Sequence, residues 1–399
     1  MLEGYIHPDF GLVSDVLQKQ LPETGFGGSA LTIYHRGECV VDVWGGTKNS
    51  NNDPWEKDTL SLSFSTTKGI MSTLLHMLMD QGKAQPEDKV AVHWPEFAQN
   101  GKQDITIRTL MCHEAGLYRV YDMVDSAQAF KDWDGMVKRM EEATPYHTPG
   151  TAHGYHGITY GWLIGGLIEK ITGKALGDVL DEMLVQPLGL DGAYCGLPVQ
   201  ELARRTELTL KMGNDPSPAD VEKREKRLAL IKKLTFGKID LSQGVAALSP
   251  PKMEGYDFNG DEEIQVPVPG ANGCFTARSL ARIYGAIANG GELDGTRILS
   301  AEAVSRMGEV QNRTMDKALI IPMHWRMGYH RIFTYPFVGP KARRGFGHAG
   351  FGGSGAWADP VRAMSLGLTV NSGIGTPTGD ARLVHLTRAA LKCADQRDR

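Results

Sequence analysis

The tetrapeptide Ser65-Thr66-Thr67-Lys68 places a hydroxyl and an amine three residues apart at the start of a predicted helix. Helical residues at this spacing lie on the same face, one turn from each other, so the Lys68 amine could reach the Ser65 hydroxyl. The free N–H groups and positive dipole end of a helix N-terminus favour the alkoxide that forms as a hydroxyl loses its proton. If burial lowers the pKa of Lys68, its amine could act as the base that activates Ser65.

Single patterns are weak signals when the surrounding sequence does not support their chemistry. The Ser-x-x-Lys spacing alone is more often a helix cap followed by a surface lysine. Residues 352–356, GGSGA, nearly match the G-x-S-x-G turn of α/β-hydrolases, but no clear helix follows, so Ser354 is predicted to be structural. His153 and His156 have no HExxH motif or third carboxylate ligand beside them, so no metal is expected. His113 lies in a helix-end block and is predicted to make a capping or core hydrogen bond.

The periodicity of apolar residues predicts the elements that carry these groups. Gly28–Gly46 alternates apolar and polar residues around the turn 36–38, which predicts a β-hairpin. From Ser65 the apolar residues recur at three- and four-residue spacing, which predicts an amphipathic helix. A second, buried helix is predicted just after Tyr155, with Gly173 at its end. The glycines within this helix would let another part of the backbone approach it closely.

The rest of the chain divides into a helical middle and strand-forming ends. Residues 217–233 carry charges on both sides of a thin apolar stripe, which is more typical of a solvated helix than of a lid over a pocket. Residues 346–372 predict two adjacent strands, and a C-terminal helix follows. The predicted fold class is α/β: an antiparallel sheet flanked by helices, built from residues 1–66 and 320–399, plus a mostly helical domain, 67–319, with the site in the cleft between them.

Composition excludes several classes of protein. The chain has 399 residues with 41% hydrophobic and 23% charged residues, which is typical of a globular protein. With a net charge of -4 and no dominant lysine or arginine cluster, nucleic acid is not expected as the main partner. The five cysteines form no CxxC pair, so neither disulfides nor zinc are predicted. The absence of a signal-like N-terminus predicts a cytoplasmic protein, and no apolar stretch is long enough to predict a membrane partner.

The order of motifs along the chain carries a resemblance. Ser-x-x-Lys is followed by Tyr155-His156-Gly157 and then by His348-Ala349-Gly350. This order resembles the β-lactamase and penicillin-binding-protein superfamily: the class C β-lactamases, the D-alanyl-D-alanine peptidases and, above all, the family VIII carboxylesterases. Three strings look like the connecting blocks of these families: TIRTLMCHEAGL, PGTAHGYHGITYGWLIGGLIEKITG and VPGANGCFTARSLARIYGAIANGG.

The resemblance implies a role for each matching residue. Ser65 is then the nucleophile, Lys68 its partner, and Tyr155 the phenol that shuttles protons. An adjacent ammonium could depress the pKa of Tyr155, and which of Lys68 and Tyr155 is the base is left open. The backbone N–H groups of Ser65 and Phe351 would form the oxyanion hole, and Gly350 would let the acyl group approach its strand closely.

Two departures from the β-lactamase pattern bear on the substrate. The amide of Tyr-x-Asn is missing at Gly157, and His348-Ala349-Gly350 lacks the fixed ammonium of Lys-Thr-Gly. Both fit uncharged acyl groups better than penicillins, because a neutral imidazole offers a hydrogen bond without a permanent charge. The predicted substrate-binding residues are His348, Gly350, His156 and Trp325.

These observations predict a carboxylesterase acting on a small-molecule ester with a small to medium acyl chain. The predicted mechanism passes through an acyl-enzyme and needs no cofactor. The same site would also serve an acyltransferase, a D-amino-acid peptidase or amidase, or a weak β-lactamase. A non-catalytic binding protein is the alternative from another class, and such proteins usually lose the nucleophile.

Overall fold

The computed structural model describes residues 2–22, 26–211, 240–332, 344–374, 376 and 380–398. The charged segment predicted as a helix or lid, 217–233, lies outside the described residues. The strands are β1 (Glu3–Ile6), β2 (Gly28–His35), β3 (Glu38–Gly46), β4 (Ser61–Leu62), β5 (Ala193–Tyr194), β6 (Thr209–Lys211), β7 (Cys274–Phe275), β8 (Glu292–Leu293), β9 (Thr296–Arg297), β10 (His330–Arg331), β11 (Phe346–Ala349), β12 (Gly355–Asp359), β13 (Met364–Val370) and β14 (Ser372–Ile374).

The described helices occupy the termini and the middle of the chain. They are α1 (Gly11–Gln18), α2 (Thr66–Asp80), α3 (Val90–His93), α4 (Ile107–Met111), α5 (Trp133–Glu142), α6 (Tyr160–Thr172), α7 (Leu176–Leu180), α8 (Gln186–Leu188), α9 (Ser242–Leu248), α10 (Asp261–Gln265), α11 (Ala277–Ala288), α12 (Ala301–Met307) and α13 (Ala381–Arg397). A π-helical turn, Asp181–Val185, joins α7 to α8.

Strands from both ends of the chain form one antiparallel sheet. Its order is β1-β3-β2-β13-β12-β11-β10, and the two ends join where β2 pairs with β13, with Leu31 opposite Leu368. The β2–β3 hairpin has the predicted bounds, and its turn uses positive φ at Arg36 and Gly37. The predicted mixed α/β class, an antiparallel sheet with flanking helices, is therefore confirmed.

Two local predictions differ from the structure. Residues 346–372 form three strands of the large sheet rather than two, because the glycine-rich run 350–354 turns the chain between β11 and β12. Helix α2 is buried along all of its length up to Met79, whereas the sequence predicted an amphipathic helix. It is enclosed because it packs against β11 on one side and α6 on the other.

Two hydrophobic cores surround the sheet. Helices α1 and α13 pack together on one face, where Phe10, Val13 and Leu17 contact a core shared with β2, β3 and β13. Helix α11 packs against β13, β2 and β12, in the core that also holds α2 and α6. The division into domains at 66 and 320 stays a prediction, and α11 shows that part of the segment 67–319 packs on the sheet.

Candidate active site

Ser65 is the residue that caps helix α2, and its hydroxyl lies beside the Lys68 amine. The Lys68 Nζ is 2.8 Å from the Ser65 Oγ and 2.5 Å from the carbonyl oxygen of Gly270. The residue before Ser65, Phe64, has a φ of 45°, a left-handed conformation that L-residues rarely adopt. This sharp turn leads from β4 into α2.

The burial of Lys68 changes its acid–base behaviour. Its side chain is fully buried, and this desolvation lowers the pKa of Lys68 well below its usual value of 10.5. A buried amine with no compensating carboxylate favours the uncharged form, because the interior solvates an ammonium poorly. A neutral Lys68 has a lone pair that can accept the Ser65 proton, which is what a general base needs.

The Gly270 carbonyl reaches Lys68 because two glycines let a loop approach helix α6. A Cβ at Gly161 would lie 2.2 Å from the Gly270 nitrogen, and one at Gly270 would lie 2.5 Å from the Ile158 oxygen. Neither distance is tolerable for a real side chain, so this contact needs glycine on both sides. The sequence predicted that the glycines of α6 would allow such an approach.

Tyr155 completes the group around Ser65. The Lys68 Nζ lies 5.1 Å from the centroid of the Tyr155 ring, and the buried phenol hydroxyl has no hydrogen-bond partner among the described residues. Burial raises the pKa of Tyr155, and an interaction with the neighbouring Ser65 hydroxyl opposes part of this rise. The sequence had suggested a depressed pKa for Tyr155, but that effect requires an ammonium, and burial disfavours the charged form of Lys68 by lowering its pKa. Tyr155 is therefore suited to donating and relaying a proton.

The backbone at Ser65 and Phe351 offers two N–H donors. Both residues line the same cavity, and neither N–H donates a hydrogen bond to any described residue. Free N–H groups in the wall of an acyl pocket are what an oxyanion hole requires. Gly350 allows this arrangement indirectly, because its missing Cβ would lie 2.2 Å from the Ser63 oxygen. Gly350 thus makes room for the backbone at Ser63, between β4 and Ser65, and its role in binding an acyl group stays a prediction.

His348 lies next to Tyr155 as a neutral imidazole. Burial, followed by His330 and Lys68, lowers the pKa of His348 well below its usual value. Its Nδ1 is 2.9 Å from the Ala349 oxygen, which can only accept, so Nδ1 carries the proton. The buried Nε2 is then an acceptor, and it has no partner among the described residues. The rings of His348 and Tyr155 are 6.1 Å apart.

A largely apolar cavity of about 580 Å³ opens beside Ser65. Among the described residues that line it, Asp257 is the single charged side chain, and no lysine or arginine is present. Such a cavity favours an uncharged acyl group over a carboxylate. Its apolar walls include Phe64, Ile158, Leu208, Leu241, Val245, Leu248, Met253, Tyr256, Phe258, Ala318, Leu319 and Phe351.

Helix α9 occupies the space where a larger residue at position 157 would project. A Cβ added at Gly157 would lie 2.3 Å from the Leu248 Cδ2 and 2.8 Å from the Ala247 oxygen. The asparagine of the Tyr-x-Asn pattern therefore cannot be accommodated here without moving α9. The sequence showed that the amide is missing, and the structure shows what fills its place.

The cavity lining includes none of the four predicted substrate-binding residues, which are His348, Gly350, His156 and Trp325. His156 is buried, and its Nε2 accepts the backbone N–H of Leu117 at 3.0 Å. Trp325 is also buried and stacks on the Tyr155 ring at 5.5 Å with an interplanar angle of 13°. Trp325 therefore packs on Tyr155, whereas the His156 ring packs against His113 and Tyr118, at 5.3 Å and 5.9 Å between ring centroids. Their role in substrate binding stays a prediction.

The patterns set aside in the sequence have structural roles. Ser354 is buried, and its hydroxyl accepts the Val370 backbone N–H at 3.1 Å. His113 makes the predicted core hydrogen bond, since its Nδ1 accepts the His156 N–H at 3.2 Å. His153 contacts Asp316 at 3.1 Å, and the described part of the chain contains no group of three or more side chains suited to a metal.

Sequence reasoning missed three parts of the site. These are the Gly270 carbonyl, the Leu248 side chain and the Asp316 carboxylate. The glycines of the string VPGANG were a signal for a close backbone approach, but neither Leu248 nor Asp316 belongs to a recognisable motif. In the described residues no helix has the length and apolar character to cross a bilayer.

Comparisons with known proteins find similar chains over nearly the whole length of this one. The chain is similar to the esterase/beta-lactamase LipL of Mycobacterium tuberculosis, with 34% identity over 99% of this chain and 90% of that protein. A crystal structure of a family VIII carboxylesterase matches with 31% identity and a TM-score of 0.83, covering 98% of this chain and all of that one. A penicillin-binding protein homologue from Caulobacter crescentus matches with 32% identity and a TM-score of 0.82, over 98% of this chain and 100% of that chain.

The family assignment rests on nearly the whole length of the sequence. The family model described as Beta-lactamase matches residues 13–390, which includes Ser65, Tyr155 and His348. The similar proteins carry esterase, β-lactamase and penicillin-binding names, and these activities share nucleophilic attack on a carbonyl group. The chain therefore belongs to the beta-lactamase family and is a serine hydrolase of the β-lactamase-like type.

Proposed function

We propose that this protein hydrolyses carboxylic esters with small to medium uncharged acyl groups through an acyl-enzyme on Ser65. The observation that carries the proposal is the apolar cavity beside Ser65, which offers no cation among its described lining residues. An ester with an aliphatic acyl chain leaves no charge uncompensated there, whereas a substrate carboxylate would.

The acylation step uses the contacts around Ser65. Neutral Lys68 accepts the Ser65 proton as Oγ attacks the ester carbonyl carbon. The resulting oxyanion is stabilised by the N–H groups of Ser65 and Phe351. As the carbon–oxygen bond breaks, the leaving alkoxide takes a proton from Tyr155, and Tyr155 regains one from Lys68, which becomes neutral again.

The deacylation step runs through the same groups in reverse order. Water attacks the acyl carbonyl carbon while Lys68, with Tyr155 as relay, accepts a water proton. The tetrahedral intermediate then collapses, the bond to Ser65 Oγ breaks, and Oγ takes the proton back. The carboxylic acid leaves, and the enzyme returns to its starting protonation state.

Position 157 supports an ester over a β-lactam or a peptide. Helix α9 fills the space in which the amide of Tyr-x-Asn would contact an acyl side chain. His348 supplies an uncharged acceptor where Lys-Thr-Gly has an ammonium, so a carboxylate gains no ion pair. The names of LipL and of the family VIII carboxylesterase are consistent with the same choice.

Turnover of model substrates tests this proposal. The wild-type protein is assayed with p-nitrophenyl acetate, p-nitrophenyl butyrate and nitrocefin, beside the variants Ser65→Ala and Ser354→Ala. We expect ester hydrolysis that falls at least about 10³-fold in Ser65→Ala, because loss of a nucleophile leaves only binding and oxyanion stabilisation. The matched control, Ser354→Ala, removes another buried serine hydroxyl and should keep most of the activity.

Three results would count against the proposal. They are ester hydrolysis that survives in Ser65→Ala, nitrocefin turnover that exceeds ester turnover, and no hydrolysis of either ester by the wild type. Product analysis with added methanol separates hydrolysis from acyl transfer, because a transferase yields the methyl ester in preference to the acid.

A further inference from the structure

Asp316 is a fully buried carboxylate that receives five hydrogen-bond donors. Its exposed fraction is 0%, and its donors come from three separate parts of the chain. They are the backbone N–H groups of Tyr155, Ala318 and Leu319, the indole N–H of Trp325 and the imidazole of His153.

Each oxygen of the Asp316 carboxylate accepts hydrogen bonds from a different set of these donors. Oδ1 accepts the N–H of Tyr155 at 3.1 Å and those of Ala318 and Leu319 at 2.9 Å each. Ala318 and Leu319 line the apolar cavity, so Oδ1 joins Tyr155 to the cavity wall. Oδ2 accepts the Trp325 Nε1–H at 3.0 Å and lies 3.1 Å from the His153 Nδ1.

Through these contacts Asp316 fixes Tyr155 twice. It binds the backbone of Tyr155 directly, and it orients the Trp325 indole that stacks on the Tyr155 ring. Apart from its interaction with the Ser65 hydroxyl, the Tyr155 hydroxyl has no hydrogen-bond partner among the described residues. The distance between that hydroxyl and Ser65 therefore depends on how firmly the backbone and ring of Tyr155 are held.

A buried carboxylate is costly unless donors compensate its lost hydration. Here four of the five donors come from Tyr155, from Trp325, which stacks on Tyr155, and from Ala318 and Leu319 in the wall of the cavity, and the fifth is His153. We propose that Asp316 is a positioning residue. It holds the Tyr155 phenol at the distance and orientation from Ser65 that proton transfer requires in acylation and deacylation. This inference rests on the proposed function, because it assigns Asp316 a role in the reaction of Ser65.

The variant Asp316→Asn separates positioning from simple structural support. The amide oxygen can keep the three backbone donors of Oδ1, so the cavity wall stays in place. The amide NH₂ then faces the Trp325 N–H, and two donors cannot share a hydrogen bond. We expect kcat for p-nitrophenyl butyrate to fall about 100-fold with KM changed less than about threefold, because small misplacements of a catalytic group act on the chemical step.

A double-mutant cycle with Tyr155→Phe distinguishes positioning of Tyr155 from a purely structural role. The measured quantity is the loss of kcat caused by Asp316→Asn with and without the Tyr155 hydroxyl. If Asp316 acts through the Tyr155 hydroxyl, Asp316→Asn should add less than about a threefold loss of kcat in the Tyr155→Phe background. Equal losses of kcat in both backgrounds would overturn the proposal, and so would an unchanged kcat in the single variant.

Asp359→Asn is the matched control for burial. Asp359 is also 0% exposed, but it bonds to Arg362 in the β12–β13 turn at the far end of β12 from Gly355. We expect it to lower the melting temperature while kcat per active site stays within about threefold of the wild type. If Asp316→Asn does not fold, Trp325→Phe removes the indole donor together with part of the ring that stacks on Tyr155. Its smaller kcat loss, about tenfold, must likewise vanish in the Tyr155→Phe background.

Labelling of the active serine distinguishes failure of this inference from failure of the proposed function. Each variant is titrated with a fluorophosphonate probe, which reacts with an activated serine whatever the natural substrate is. A wild type that is neither labelled nor hydrolytic contradicts the proposed function. A labelled, hydrolytic wild type whose Asp316→Asn variant reacts at the same rate contradicts the role of Asp316 alone.

Discussion

At the scale of single residues, the proposed chemistry depends on the protonation state of Lys68. Ser-x-x-Lys places the amine within reach of Ser65, and the 2.8 Å contact between Lys68 and Ser65 realises that spacing. The spacing does not set the pKa of Lys68, which burial lowers well below 10.5. The same burial raises the pKa of Tyr155, so the two groups differ in role: Lys68 accepts a proton and Tyr155 supplies one.

The pH dependence of ester hydrolysis should report the lowered pKa of Lys68. Protonated Lys68 cannot act as a base, so kcat/KM falls as the pH drops through that pKa and reaches a plateau above it. Because burial lowers the pKa, we expect the plateau to begin well below pH 10.5 and activity to persist near neutral pH. The measurement is kcat/KM for p-nitrophenyl butyrate between about pH 5 and pH 10.

The control for this profile is Lys68→Arg. A guanidinium stays protonated throughout the range, so the variant should lose about 10³-fold in kcat at every pH. A wild-type profile that still rises steeply at pH 10 would mean that Lys68 is charged in the folded protein.

At the scale of elements, the contact between helix α6 and the loop at Gly270 places the carbonyl that binds Lys68. Gly161 lies in the first turn of α6. The Gly270 backbone nitrogen lies so close that a Cβ on Gly161 would be 2.2 Å from it. The position of this loop is therefore set by the surface of α6. The contact between the Lys68 amine and the Gly270 carbonyl oxygen, at 2.5 Å, depends on the position of this loop.

Substituting Gly161→Ala should disturb the site without touching a catalytic group. The new Cβ would lie 2.2 Å from the Gly270 nitrogen, so the loop must move and draw its carbonyl away from Lys68. We expect kcat for p-nitrophenyl butyrate to fall by about 10- to 100-fold, since catalytic geometry tolerates little displacement.

Gly177→Ala is the matched control in a neighbouring helix. A Cβ at Gly177 meets no atom within 4 Å, so the substitution should leave kcat unchanged and raise stability by up to about 1 kcal/mol. Equal kcat values for Gly161→Ala and Gly177→Ala would show that the loop contact does not control Lys68.

At the scale of the whole molecule, the candidate site belongs to the core on one side of the sheet. Helix α2 lies in that core, while Phe10 of the N-terminal segment lies in the core formed with α1 and α13. The two cores meet at the sheet rather than at Ser65. Damage to the core around Phe10 should therefore affect the stability of the fold more than the geometry of the site.

Truncation of Phe10 tests this separation. Phe10 is 0% exposed, and Phe10→Ala should cost about 3–5 kcal/mol in the free energy of unfolding because it leaves a cavity. We expect a lower melting temperature but an unchanged kcat/KM per site titrated with a fluorophosphonate. Leu12→Ala on the same terminal segment, where the side chain is 38% exposed, should shift the melting temperature much less. A parallel loss of kcat/KM in Phe10→Ala would show that the cores are coupled.

The sequence by itself determined the features that depend on neighbouring residues. The β2–β3 hairpin, the helix that begins beside Ser65 and the glycine end of α6 at Gly173 follow from local periodicity and turn chemistry. The proximity of Lys68 to Ser65 is of the same kind, because a helical turn fixes it. The pattern of strands at both ends and helices in the middle predicted the α/β class, and the resemblance carried by the order of motifs added the family.

Only the tertiary structure decided the features that join distant parts of the chain. The pKa of Lys68 depends on burial by elements that are far away in sequence, and its second contact is 202 residues along the chain. Trp325 and His156 were predicted to bind substrate, but Trp325 stacks on Tyr155 and His156 accepts the Leu117 N–H, and neither lines the cavity beside Ser65. Asp316 meets the Tyr155 backbone across 161 residues, and no local pattern records that contact. Desolvation and side-chain direction depend on the assembled core, which local spacing does not specify.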